Sequence, residues 1–107
     1  MNKQQIERVI RMESYLDESC AAIGELSEAL EKYESILDKY YELEEYYGNG
    51  DWMDDYDADR AGEFPDDLKR GVLSEDAVYD LITEHIELVT RLQKAVQRCM
   101  EIDPDNK

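Results

Sequence analysis

The chain has 107 residues and a formal net charge of −16. That length bounds it to one domain, residues 1–107. Direct binding to nucleic acid or to an anionic membrane needs clustered Lys and Arg, so neither is expected. The acidity is spread along the chain, with −7 over residues 1–47, −5 over 48–73 and −4 over 74–107, which describes an acidic folded surface rather than a tail.

Residues 3–47 read as helix one. Val9, Leu16, Ile23, Leu30 and Leu37 recur every seven residues, with Met12, Leu26, Tyr33, Tyr40 and Tyr47 on the companion row. Ser19 and Glu44 are the polar breaks. Asn2 with Gln5 predicts a capping box, and Met1 a staple onto Ile6. Gly48 is expected to supply the left-handed residue that stops the helix.

The connecting segment, 48–73, reads as two short pieces. Asp51 caps a helix that Gly62 ends, and Pro65 opens a single helical turn that Gly71 closes. Residues 74–102 read as helix two, capped by Ser74, stapled by Leu73 onto Val78 and stopped at Pro104; residues 103–107 are a tail. Its apolar stripe is Val78, Leu81, Ile82, His85, Leu88, Val89, Leu92, Val96 and Cys99.

The expected fold is all-α. It is a long antiparallel helical hairpin, coiled-coil-like, with a short helical segment packed between the two long helices. Length arithmetic places helix two against residues 5–32 and the connecting segment against 33–47, so that facing residue numbers sum to about 106. The alternative, with helix two starting opposite the end of helix one, gives about 121. The repeat in helix one also leaves room for a homodimer.

Trp52, Asp55-Tyr56, Asp59, Gly62, Pro65 and the run Asp67-Leu68-Lys69-Arg70-Gly71-Val72-Leu73-Ser74-Glu75-Asp76 resemble a family of short bacterial proteins. That family is known as a domain of unknown function, number 4298. The resemblance implies a cytoplasmic bacterial or phage-related protein and brings no activity, cofactor or binding residue. The Met1-Asn2-Lys3 start, running straight into charged periodic sequence, likewise predicts a cytoplasmic address.

Several residues invite chemistry. Asp55, Asp57, Asp59, Glu63 and Asp66 occupy positions 1, 3, 5, 9 and 12 of a calcium-loop template. Arg60 stands where that loop needs glycine, and Asp66 is shorter than the bidentate Glu; a solvated helix face explains the acids better. His85, the only histidine, has no nucleophile or metal-ligating neighbour and reads as a partly buried structural residue. Cys20 and Cys99 read as packing thiols, too far apart in the expected register to bridge. Lys69-Arg70 is an adjacent basic pair, suited either to a partner's anion or to the acids of the connecting segment. Trp52, Tyr56 and Phe64, with Tyr40, Tyr46 and Tyr47, form either a satellite core or an anchor patch for a partner.

No catalytic residue and no cofactor is expected. The leading function is a non-catalytic acidic helical protein-interaction module. Its partner-binding candidates are Trp52, Tyr56, Asp59, Phe64, Lys69 and Arg70, and its partner another protein with a basic surface. The contrasting readings are a nucleic-acid-mimicking inhibitor of a basic-grooved protein, a calcium-binding module at 55–66, and an enzyme of unidentified type.

Overall fold

A computed structural model of the chain describes residues 2–103. They form three α-helices: α1, Lys3–Gly48; α2, Asp51–Arg60; and α3, Ala77–Ile102. A 3-10 turn at Gly71–Leu73 precedes α3. Among the described residues there is no strand. The fold is all-α, as the two seven-residue patterns predict. The Met1 staple and the Pro104 stop lie outside the described residues.

Contacts divide the chain into two units, Met1–Tyr40 and Tyr41–Lys107. The first is the long stretch of α1. Its start is the predicted capping box: the Gln5 N–H donates to Asn2 Oδ1 at 2.8 Å, and the Asn2 N–H donates to Gln5 Oε1 at 3.0 Å. Those two bonds satisfy donors that a helix start would otherwise leave unpaired. Every residue from Asn2 to Lys32 is exposed. Burial begins only at Tyr33 and Leu37, which are half-covered, and at Tyr40, which is buried.

The second unit holds the closed end of the hairpin, with α2 between the end of α1 and the start of α3. Its buried side chains are Trp52, Leu73 and Val78. Around them Leu43, Tyr46, Tyr47, Tyr56, Phe64, Ile82, His85, Val89 and Leu92 are half-buried. On α3 the covered positions, Val78, Ile82, His85, Val89 and Leu92, alternate by four and three, which is one face of a helix. Leu81, Leu88, Val96 and Cys99 of the predicted stripe are exposed. Leu73 and Val78 are the two ends of the predicted staple, and both are buried.

Three local predictions are corrected. Gly48 ends α1 without a left-handed backbone; the positive φ angles are at Gly50 (101°) and Gly62 (74°). Asp51 is the first residue of α2 rather than its cap, and its N–H is taken by Asn49 Oδ1 at 2.9 Å. The helical turn expected after Pro65 is a lone turn closed by Leu68 N–H to the Pro65 carbonyl, with the 3-10 helix displaced to 71–73. Residues 65–70 offer one apolar side chain, Leu68, which is exposed, so nothing anchors a helix there.

The register also differs. The Tyr41 and His85 rings meet edge-on with centroids 6.1 Å apart, so the numbers that meet here sum to 126. This is the higher packing, and residues 5–32 are exposed. The cause is the connector. It folds back on itself, returning Val72 to the first turn of α2, and α3 therefore starts level with the end of α1.

Candidate functional site

The polar contacts of the second unit centre on α2. Gly50, with a left-handed backbone, is the N-cap of α2, and the Asn49 side chain before it accepts the Asp51 N–H. This brings Trp52, in the first turn, against the last turn of α1. The indole meets Tyr47 edge-on with centroids 5.1 Å apart and stacks on Tyr56 at 4.9 Å with planes 17° apart. Its N–H donates to the Val72 carbonyl at 2.8 Å. Trp52 is 7% exposed, so it is a core residue with a satisfied polar edge rather than an anchor presented to a partner.

Three further contacts tie the same segment together. The Tyr46 hydroxyl donates to Asp55 Oδ2 at 2.7 Å. Burial, then that bond and the charges of Asp55 and Asp51, push its phenol up to about 12. The Arg70 guanidinium donates to Asp59 Oδ1 at 2.8 Å, with both side chains partly shielded. One turn on, Arg60 donates to the Tyr56 oxygen at 2.9 Å, and the Tyr56 hydroxyl donates to Glu75 Oε1 at 2.8 Å. Arg60 also lies over the Tyr56 ring, 5.6 Å from its centroid. Finally, Ser74 Oγ accepts the Ala77 N–H at 3.3 Å and opens α3 three residues later than predicted.

Of the six residues expected to bind a partner, Trp52, Tyr56, Asp59 and Arg70 are therefore engaged within the chain. Phe64 is half-buried and Lys69 exposed. The structure brings the first four together as a clasp on the connector. The acids of the calcium template are not arranged as a loop, because Asp55, Asp57 and Asp59 lie on α2 and two of them hold Tyr46 and Arg70. Among the described residues, no group of three or more His, Cys, Asp or Glu is placed to hold a metal ion. His85 packs on Tyr41, and both cysteines are free and exposed rather than packed. The Val72 carbonyl and the Tyr46–Asp55 bond carry no sequence signature; Glu75 reads simply as a first-turn acid.

The surface that remains open is on α1. Ile6, Val9, Ile10, Met12, Leu16, Ile23, Leu26 and Leu30 are each 46–68% exposed. Val9, Met12, Leu16, Ile23, Leu26 and Leu30 lie on the two rows of the heptad repeat, so they form one continuous apolar seam broken at Ser19.

These elements define an all-α helical hairpin with a clasped connector. Within that class, the chain belongs to the family described as a domain of unknown function (DUF4298), whose model matches residues 9–95. The matched region contains both the seam from Val9 onward and the whole clasp. No curated protein and no solved structure matches the chain.

Proposed function

We propose that this protein is a non-catalytic, acidic helical interaction module that works in the cytoplasm and recognises another protein helix along α1. The observation that carries this is the seam from Ile6 to Leu30, fully formed and exposed along its length. A helix of this kind, standing alone in water, is marginal; a partner's apolar row would stabilise it as in a coiled coil. Residues 13–31 carry six carboxylates and no cation, which favours a partner helix of basic character. The clasp supports the same reading: its polar groups are spent on holding the connector, leaving the long helices as the recognition surface. Among the described residues, no helix is long and apolar enough to cross a membrane.

Affinity capture of the tagged chain, compared with its Ile23→Asp/Leu26→Asp variant, tests the proposal. A discrete protein captured by the native chain and lost with the variant is expected. A partner retained at full strength by the variant would place recognition elsewhere.

A further inference from the structure

We infer that the occupant of the α1 seam is a second copy of this chain, docked antiparallel about a two-fold axis near residue 18. This rests on the reading of the seam as an interaction surface, and it names the partner. The seam begins at Ile6 and ends at Leu30, where the half-covered positions from Tyr33 take over. Its span is about 25 residues, ~37 Å of helix, or more than three heptads.

Charge fixes the direction. Residues 3–11 carry Lys3, Arg8 and Arg11 against Glu7 alone, and residues 13–31 carry Glu13, Asp17, Glu18, Glu25, Glu28 and Glu31 with no cation. The same helix thus carries its cations at one end and its carboxylates along the rest. Parallel pairing would set Arg8 and Arg11 beside their own copies and carboxylate beside carboxylate, which is unfavourable. Antiparallel pairing sets the basic end of each helix beside Glu25, Glu28 and Glu31 of the other, and like charges meet only near the axis, where Asp17 falls level with the second copy's Glu18.

The seam also fixes the offset. A two-fold axis at its midpoint pairs numbers that sum to about 35, and this coincides with the layering of an antiparallel coiled coil, one row against the other. Val9 then lies beside Leu26 of the second copy, Met12 beside its Ile23, and Leu16 beside its Ser19. Lys3 falls near the level of the second copy's Glu31, Arg8 near its Glu28 and Arg11 near its Glu25. The single polar break in the seam sits next to the axis, so it is met by Leu16 and not by a second Ser19.

Light scattering on the purified chain, with orientation read by crosslinking, provides the test. At about 100 µM the expected mass is twice 12.6 kDa. Ile23→Asp is expected to raise the dimer Kd at least about tenfold, while Ser14→Asp on the opposite face leaves it unchanged. The near-UV signal of Trp52 should be the same in both variants, showing that the clasp is intact. In a Cys20→Ser/Cys99→Ser background, mixing a Met12→Cys chain with an Ile23→Cys chain should give the mixed disulfide. Crosslinking of the Met12→Cys chain to itself would mean a parallel pair and overturn the proposal. A 12.6 kDa species at that concentration would overturn it too. If capture from cells is still lost with Ile23→Asp/Leu26→Asp in that case, the seam is a surface for a different protein. If capture is also indifferent to those substitutions, the interaction reading itself fails.

Discussion

The indole N–H of Trp52 donates to the carbonyl oxygen of Val72, 2.8 Å away and 20 residues further along the chain. That bond pins the return of the connector to the first turn of α2, and the Tyr47 and Tyr56 rings enclose it. Trp52→Phe keeps a ring in place but leaves the Val72 carbonyl without its donor. A loss of about 1–3 kcal/mol is expected, measured by urea unfolding followed in the far ultraviolet. An unchanged midpoint would mean that the connector is held by ring packing alone.

The Asp59–Arg70 pair is the second tie across the connector. Its side chains are 25% and 32% exposed, so solvent screens the attraction. A double-mutant cycle with Asp59→Asn and Arg70→Gln should return a coupling of about 0.5–1 kcal/mol, smaller in 1 M salt. A coupling near zero at low salt would remove this pair from the clasp.

Tyr46 gives the clasp a pH dependence. Its phenol, raised from 10.0 to about 12 chiefly by burial, gives up its proton more readily in the unfolded chain than in the folded one. The contribution of Tyr46 is therefore complete below pH 10 and is lost as pH rises from 10 towards 12. The stability difference between the native chain and Tyr46→Phe should be flat from about pH 7 to 9 and shrink above 10. A difference that grows with pH in that window would contradict the assigned environment.

Gly62 ends α2 with a φ of 74°. Nothing lies within 4 Å of where a Cβ would stand, so the cost of a side chain there is backbone strain alone. Gly62→Ala should destabilise by about 1 kcal/mol, whereas Gly24→Ala, in the exposed middle of α1, should raise helicity. Equal effects at the two sites would show that the left-handed turn is not needed.

These residues also show what sequence can and cannot reveal. The helices were legible because Val9, Leu16, Ile23, Leu30 and Leu37 mark one period, and Asn2 with Gln5 marks a start that the structure reproduces bond for bond. The offset of helix two was not legible. A seven-residue repeat looks the same after a slide of one heptad, so the expected sum near 106 and the observed 126 differ by about three nearly equivalent steps. The return of the connector to α2, tied at the Val72 carbonyl, is announced by no side-chain pattern. The same shift turned the seam of α1 from an expected core into a surface. Trp52, Tyr56, Asp59 and Arg70 stand out in the sequence as candidates to bind a partner, and the structure shows them in contacts within the chain; aromatic rings and charge pairs serve a clasp and an epitope alike.

The most direct measurement is amide hydrogen exchange of the full chain at two concentrations. In dilute solution, about 1 µM, residues 6–30 should exchange quickly, because their side chains are exposed and an unpaired helix frays. Amides of α2 and of the first half of α3 should be protected there. At about 200 µM, protection should appear across residues 6–30 and nowhere else to the same degree. Strong protection of 6–30 that is identical at both concentrations would contradict an open seam, because it would show that the chain covers α1 by itself.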